Sequence, residues 1–154
     1  MELKFERTLC RCMRSILRET KNLEQTLELR LPDGMPDIGR VVGAWGQIML
    51  RSKEWRGDGI SASGGVTVWV MYVPEDGSDV QCVDVWVPFQ AKWDFSETDR
   101  DGVIRLFPLL RSADARTVSA RKLMIRVGIG LLAEALIPYE VDIYQPSEAV
   151  GDIE

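Results

Sequence analysis

The sequence contains no histidine. This absence excludes Ser-His-Asp and Cys-His activation of a nucleophile, histidine metal sites and the most common general base. Carboxylate, lysine and cysteine chemistry stay open.

Cysteine is scarce, and its pattern does not suggest a disulfide framework. There are three cysteines, an odd number, and two of them form the Cys-x-Cys pair Cys10 and Cys12. If residues 3–20 form a helix, these two thiols point about 160° apart and do not share a soft metal ion. We predict no metal site and no cofactor.

Long apolar runs and an excess of basic residues are also missing. The longest apolar candidate, residues 127–137, is interrupted by Glu134 and is shorter than the span of about 18 residues that a bilayer requires. The first residues, MELKFERTLCR, lack the apolar core of a signal peptide. The net charge of −5 disfavours nucleic-acid binding. These features predict a reduced, cytoplasmic protein without nucleic-acid or membrane contacts.

What the chain does have is enough apolar surface for one folded domain. It has 154 residues, of which 45% are hydrophobic. Residues 1–21 stand apart, with six basic and three acidic groups. Their apolar residues follow helical spacing, so we predict an N-terminal amphipathic helix that docks by its apolar face. On the opposite face a stripe of arginines could instead meet an acidic partner or an anionic membrane: Arg7, Arg11, Arg14 and Arg18.

Residues 22–144 show the period of two that is typical of β-strands, and residues 145–154 are predicted to be a frayed tail. The stretch VTVWVMYVPEDGSDVQCVDVWVPF, residues 66–89, reads as two strands joined by an Asp-Gly turn. Other strand-like runs cover residues 23–31, 41–50, 103–110, 117–132 and 139–144, while residues 56–65 and 111–116 are predicted to be connections. We predict a mostly β fold, an antiparallel sandwich or barrel-like single domain with one N-terminal helix.

Two motifs resemble ligand sites. GIGLLA, residues 128–133, has the glycine spacing of a dinucleotide fingerprint, but only seven residues separate Gly130 from Pro138, too few for a crossover helix. Small residues in a tightly packed strand explain it better. ETDRDG, residues 97–102, begins like a calcium loop, yet Pro108 stands where a bidentate carboxylate is required, so a solvated acidic turn is predicted.

Carboxylates are the remaining route to an enzyme. Asp84 interrupts an apolar strand, and Asp94 lies between Trp93 and Phe95. An acid beside aromatic rings can have a raised pKa, but no second acid is placed by the sequence to complete a pair. We predict no enzymatic activity, with a carboxylate hydrolase as a competing hypothesis.

Tryptophan is the aromatic residue of interest. Trp45, Trp69, Trp86 and Trp93 fall within strand-like runs, where packing in the core is expected. Trp55 stands in a polar segment beside arginine and lysine. Trp55 is therefore either a binding anchor or a side chain that packs over one end of the domain.

The order of motifs resembles the SPOCS domain family, sporulation-associated domains of Firmicutes long classed as a domain of unknown function. The chain carries LRLPDGMPDIGRVVGAWGQIML, a Gly-Gly pair, VTVWVMYVPEDG, VDVWVPF and VSARKLMIRVGIGLLAEAL in this order. The likeness covers roughly residues 20–140. The matching positions are Leu31, Pro32, Pro36, Asp37, Ile38, Tyr72, Pro88, Phe89, Ala120, Arg121 and Lys122.

The resemblance implies a non-catalytic protein–protein interaction or scaffold module in endospore coat or envelope assembly, with a spore-coat morphogenetic protein as partner. It also implies a place in the mother-cell cytosol or at the forespore surface. Related domains accompany a peptidoglycan-binding LysM module, which this sequence does not show. A homodimer through strand edges is compatible with the fold.

The residues predicted to bind the partner are the four arginines of the stripe, Trp55, and three residues of the rigid segment LPDGMPDIGR, namely Pro32, Pro36 and Asp37. For that segment, a purely structural crossing between strands is the alternative. A β-barrel that binds a small molecule or a glycan is the alternative function.

Overall fold

The computed structural model describes residues 4–96 and 102–146, and these residues form six β-strands. Their bounds are β1 Phe5–Arg30, β2 Ile38–Arg56, β3 Gly59–Pro74, β4 Gln81–Asp94, β5 Val103–Ser119 and β6 Lys122–Pro146. The predicted mostly β, antiparallel fold is confirmed.

The strands form two separate three-stranded antiparallel sheets, in the orders β1-β6-β5 and β2-β3-β4. Of the two predicted alternatives the described residues therefore form a sandwich and do not close into a barrel. The core lies between the sheets, and the two central strands contribute most of it. On β3 it includes Val66, Val68, Val70 and Tyr72, and on β6 it includes Leu123, Ile125, Val127, Ile129 and Leu131.

The predicted N-terminal helix is wrong, because the described part of that segment belongs to β1. β1 pairs with β6 continuously from Phe5 opposite Pro146 to Arg30 opposite Lys122, with one bulge between Ser15 and Leu17. This ladder pairs the side of β1 that faces β6 along the whole segment, and tertiary context of this kind overrides a local helical pattern. The predicted boundary between residues 21 and 22 falls inside the same strand.

Two predicted connections are also strands. Residues 59–65 form the start of β3, where the small residues Ser, Ala and Gly suit the close approach of the strands on both sides. Residues 111–116 continue β5 beyond a bulge between Leu110 and Ser112. GIGLLA lies within β6, as its interpretation as a packed strand predicted.

Residues 97–101 of the calcium-like motif and residues 147–154 of the predicted tail lie outside the described residues. Gln145 and Pro146, which were assigned to that tail, are the last residues of β6. In the part of the chain that the structure describes, no helix has the length and hydropathy needed to cross a membrane.

Candidate interaction surface

The predicted arginine stripe does not form one surface. Because side chains alternate along a strand and β1 has a bulge after Ser15, Arg7, Arg11 and Arg18 lie on the outer side of the sheet, and Arg14 lies on the other side. Arg7 Nε is 3.0 Å from Asp142 Oδ1, and Arg11 Nε is 3.7 Å from Glu140 Oε1. Arg14 lies over the ring of Tyr139, 5.7 Å from its centroid. Three of the four arginines therefore have a partner within the chain.

The segment that contains Pro32, Pro36 and Asp37 crosses from one sheet to the other, and Arg121 holds it. Arg121 Nη1 donates to the Met35 carbonyl at 2.8 Å and to Asp37 Oδ1 at 2.9 Å, and Nη2 donates to the Pro32 carbonyl at 2.9 Å. The backbone amides of Leu31 and Ile38 donate to the carbonyls of Arg121 and Ala120. These contacts favour the structural interpretation of the segment.

Tyr72 completes this junction from the core of the other sheet. Its hydroxyl donates to the Pro36 carbonyl at 2.8 Å, and its ring is buried. Desolvation raises the pKa of Tyr72, Arg121 nearby lowers it, and Asp37 adds to the increase. The net effect favours the neutral, hydrogen-bonding phenol.

Trp55 packs over one end of the core. Its ring centroid lies 5.2 Å from that of Phe95, and its side chain is half-buried against the hydrophobic cluster. Its Nε1 is buried and has no hydrogen-bond partner among the described residues. The geometry favours packing, the second of the two interpretations of Trp55.

Three other tryptophans lie on the solvent-facing side of the β2-β3-β4 sheet, contrary to the prediction that they pack in the core. Trp45 is directly opposite Trp69 in the β2–β3 ladder, and Trp86 is opposite Thr67 in the β3–β4 ladder. The Trp45 and Trp69 rings are within 18° of parallel, with centroids 6.4 Å apart. We call this surface the tryptophan face; its members are Trp45, Gln47, Met49, Arg51, Thr67, Trp69, Met71, Asp84 and Trp86.

Trp86 lies flat over the central strand because residue 65 is glycine. A Cβ atom at Gly65 would overlap the Trp86 indole. Above the ring lies the guanidinium of Arg51, 4.2 Å from the centroid. Trp86 is therefore covered on both sides and serves as a fixed part of the tryptophan face.

Trp45 and Met49 are the most open large apolar members of this face. Their exposed fractions are 47% and 53%. Gln47 and Asp84 are exposed polar neighbours of the two stacked rings. An apolar centre with a polar border is the arrangement expected at a protein interface. Trp93, the fourth tryptophan assigned to the core, is fully buried as predicted.

The two carboxylates considered for a hydrolase, Asp84 and Asp94, do not form a pair. Asp84 and Asp94 are both exposed and lie ten residues apart on β4, a separation of about 34 Å along a strand. Within residues 4–96 and 102–146 no group of three His, Cys, Asp or Glu side chains could hold a metal ion. Cys10 and Cys12 share one side of β1, since they are two residues apart on a strand; the angle expected from a helix does not apply.

The sequence contains a pattern that indicates the outward position of Trp86, although we predicted that Trp86 packs in the core. Trp86 shares its side of β4 with Asp84, while Val83, Val87 and Phe89 occupy the buried side. A charged residue on one side of a strand indicates that this side faces solvent, and Trp86 lies on the side of Asp84. In β3 that signal was hidden, because the outer residues Trp69 and Met71 are as apolar as the inner ones.

The sequence matches none of the protein-family models against which it was scanned, and searches of curated proteins and of solved structures find no match either. The resemblance to SPOCS domains therefore rests on the order of the quoted motifs. Two of those motifs, residues 31–38 and 120–122, lie together at the Arg121 junction.

Proposed function

We propose that this protein is a non-catalytic interaction module that binds a protein partner through the tryptophan face. The observation that carries the proposal is the set of three tryptophans on one solvent-facing side of a sheet, with Trp45 and Met49 open to solvent. Tryptophan and arginine are enriched at the residues that dominate binding energy, and methionine is enriched at interfaces.

The rigidity of the surface supports the same proposal. The face lies on three paired strands, Trp86 is held between Gly65 and Arg51, and Trp45 is stacked beside Trp69. Side chains fixed before binding lose little conformational entropy when the partner arrives. A surface of this kind suits a partner with a flat apolar patch and a carboxylate that reaches Arg51.

The assignment to endospore coat or envelope assembly, in the cytosol of the mother cell or at the forespore surface, is part of the proposal. It follows from the resemblance to SPOCS domains, and it names a spore-coat morphogenetic protein as the partner. The predicted contacts move from the arginine stripe and the Pro-rich segment to the tryptophan face. Three of the four arginines and the backbone carbonyls of the segment already have partners within the chain.

The test begins with crosslinking of the intact chain in sporulating cells of the source organism. Crosslinked peptides identify the partner and the surface, and the purified partner is then titrated against variants. We expect Trp45→Ser to weaken binding about 30-fold, the size expected for a central tryptophan. Phe107→Ser is the matched control, because Phe107 is 46% exposed on the outer side of the other sheet; it should leave affinity unchanged.

Two results would contradict the proposal. One is a purified partner that binds wild type and Trp45→Ser equally well. The other is the absence of any specific protein crosslink to β2, β3 or β4. Binding that is lost equally in Trp45→Ser and Phe107→Ser would indicate general damage to the fold, which circular dichroism and thermal unfolding of both variants detect separately.

A glycan is the second candidate ligand, and the parallel rings of Trp45 and Trp69 are the observation that favours it. The C–H groups on a flat sugar ring pack well against indole rings, and Gln47 and Asp84 could bond its hydroxyls. The check is retention of the intact protein on insoluble chitin, cellulose and purified peptidoglycan at high salt. Retention that Trp45→Ser abolishes would favour the glycan over the protein partner.

A further inference from the structure

The edge of β1 lacks the features that protect the other strand edges from pairing with a second chain. Four of the six described strands are edge strands, namely β1, β2, β4 and β5. β4 and β5 each contain a proline, Pro88 and Pro108, and β2 has three register shifts. β1 contains neither proline nor glycine, and from Leu17 to Arg30 its register with β6 has no shift. Prolines and bulges blunt an edge, so β1 is the edge that stays open to an added strand.

The backbone on the free side of β1 has no partner within the described part of the chain. Hydrogen bonds outside the strand ladders join turns and crossing segments, and none of them includes residues 17–30. In an antiparallel sheet, alternate residues direct both backbone groups away from the neighbouring strand, so about seven residues of this stretch present unpaired N–H and C=O groups. An extended chain that lies along this edge completes the row of hydrogen bonds.

β1 also projects beyond β4, the edge strand of the other sheet on the same side of the sandwich. Lys21 on β1 donates to the Lys92 carbonyl on β4, which places the two strands side by side. On its inner side β4 is well covered, since Phe89 is 2% exposed. By contrast, Leu23 and Leu27 on the inner side of β1 are only half-buried. The strand that pairs with β1 therefore also covers these leucines.

The charges of this stretch suit a strand that carries charges of both signs. Residues 17–30 contain three basic and three acidic groups and so have no net charge, whereas the whole chain has −5. Arg18 has no ion-pair partner among the described residues. Glu28 is 3.5 Å from Lys122, yet half of its side chain is exposed. Both residues lie on the outer side of β1, ten positions apart, so each can meet the other on a second antiparallel copy.

We propose that β1 pairs with β1 of a second copy, antiparallel and about a two-fold axis, with Leu23 of each copy opposite Leu23 of the other. In this register Arg18 of one copy lies opposite Glu28 of the other at both ends of the contact, and Thr20 lies opposite Thr26. Ion pairs and Thr–Thr pairs directly across a strand pair are stabilising. A two-fold contact makes each favourable pair twice.

The inner side of the same register is apolar at its centre and at its ends. Leu23 meets its own copy on the axis, and Leu17 of each copy lies opposite Leu29 of the other. The contact therefore covers the half-buried leucines that β4 leaves open. Each face of the joined strands finds a matching face: charged and hydroxyl groups outside, leucines inside.

Neighbouring registers lack this match. The smallest shift that keeps every side chain on its own side of the sheet is two residues. One such shift places Glu24 opposite its own copy and Arg18 opposite Arg30, so that like charges meet. The other places Leu23 opposite Lys21 and leaves Arg18 without a carboxylate. Of the three registers, the one centred on Leu23 is the complementary one.

The contact has the hydrogen bonds of a specific interface but a moderate strength. Pairing of residues 17–29 forms about 12 main-chain hydrogen bonds, a number typical of protein interfaces. Each replaces bonds to water, so we expect a dissociation constant on the order of micromolar. The two-fold axis is perpendicular to the sheet, which places the tryptophan faces of both copies on one side of the dimer. The dimer itself does not depend on the function proposed for that face.

Sedimentation equilibrium of the intact chain, from about 1 to about 300 µM, is the first test. The mass should rise from 17.4 kDa towards twice that value. Arg18→Glu should weaken the dimer at least about tenfold, because two Glu–Glu contacts replace two Arg–Glu pairs. Combining it with Glu28→Arg should restore most of the affinity. Arg40→Glu is the matched control, since it makes the same charge change at an exposed position of β2; it should leave the dimer unchanged.

Crosslinking tests the register separately. In a background with all three cysteines replaced by serine, Thr20→Cys and Thr26→Cys are prepared as separate chains and mixed. A short bis-maleimide should join the two variants, because these positions lie opposite each other across the contact. Either variant alone should give little product, since its two cysteines would be six residues apart along the strands, about 20 Å.

Three results would overturn the proposal. One is a chain that stays monomeric throughout the concentration range. Another is a dimer that the double charge exchange does not restore, or that either cysteine variant crosslinks as well as the mixture does. The third is a crosslink in the source cells between residues 17–30 and a different protein while the purified chain stays monomeric, which would assign the edge to a strand of that protein.

Discussion

Arg51 on one edge strand lies over the ring of Trp86 on the other edge strand, 4.2 Å from its centroid. The contact crosses the central strand at Gly65, where there is no side chain to block it. Arg51 is the extra residue of the bulge between Leu50 and Ser52. A bulge redirects a side chain, so this one is suited to aim Arg51 across the sheet.

The other sheet repeats the arrangement with different partners. Arg111 is the extra residue of the bulge between Leu110 and Ser112, and it donates across the central strand to Asn22 Oδ1. The residue below that contact is Gly130. Each sheet therefore uses Leu-Arg-Ser at a bulge and a glycine in its central strand to connect its two edge strands.

Gly65→Ala should destabilise the protein by about 2 kcal/mol, because the new methyl group overlaps the Trp86 ring and forces it to move. Chemical denaturation gives the free energy of unfolding. In a Trp86→Ala background the same change should cost much less, so that the coupling in the double-mutant cycle is about 1 kcal/mol or more. If Gly65→Ala lowers the free energy of unfolding equally in both backgrounds, glycine is required there by the backbone and not by the Trp86 ring.

Arg121→Met should cost about 3 kcal/mol of unfolding free energy, because it removes three hydrogen bonds from a charged donor to the crossing segment. Lys122→Met is the neighbouring control. Lys122 has one exposed ion pair, with Glu28 at 3.5 Å, and its loss should cost less than about 0.5 kcal/mol. If both variants unfold at the same denaturant concentration, Arg121 does not hold the junction.

The sequence predicted the β-sheet framework well where the alternation of side chains was clear. The return strand of the hairpin is such a case, since Val83, Val87 and Phe89 lie on its buried side and the charged Asp84 lies on its exposed side. The same sequence misled at residues 3–20. The apolar residues there follow helical spacing, and only the ladder with β6, more than a hundred residues away, makes the segment a strand.

The candidate surface was harder to predict, because tryptophan is apolar enough for a core and large enough for an interface. Trp93 and Trp69 both stand in apolar strands, yet one is fully buried and the other faces outward. The β1-β6-β5 sheet covers only one side of β3. Because both sides of β3 are apolar, the alternation of residues does not predict which side is covered. The role of Arg121 was likewise hidden, since its acceptors lie more than eighty residues away in the sequence.

Replacing the paired arginines of β1 should hardly change stability. Arg7→Ala and Arg11→Ala each remove one exposed ion pair, and such pairs contribute between about 0 and 1 kcal/mol. Thermal unfolding at low and high salt measures the effect, which should shrink as salt screens the charges. If either variant loses several kcal/mol of unfolding free energy, the outer side of β1 around Arg7 and Arg11 is buried in solution.

Tyr72 should make the protein less stable at alkaline pH. Burial raises the pKa of Tyr72 in the folded chain, whereas an unfolded tyrosine ionises near pH 10. Above that pH the unfolded state has lost a proton that the folded state still holds, so the free energy of unfolding falls as the pH rises. Below it, the contribution of Tyr72 is fully present.

Tyr72→Phe separates the hydrogen bond from the titration. At pH 7 this variant should be about 1 kcal/mol less stable, because the Pro36 carbonyl loses its donor. As the pH rises above about 10, the difference from wild type should shrink, since phenylalanine does not ionise. Denaturation of both proteins between about pH 7 and 11 measures this convergence, with the exposed Tyr139→Phe as control. Parallel curves for wild type and Tyr72→Phe would show that Tyr72 ionises equally easily in both states.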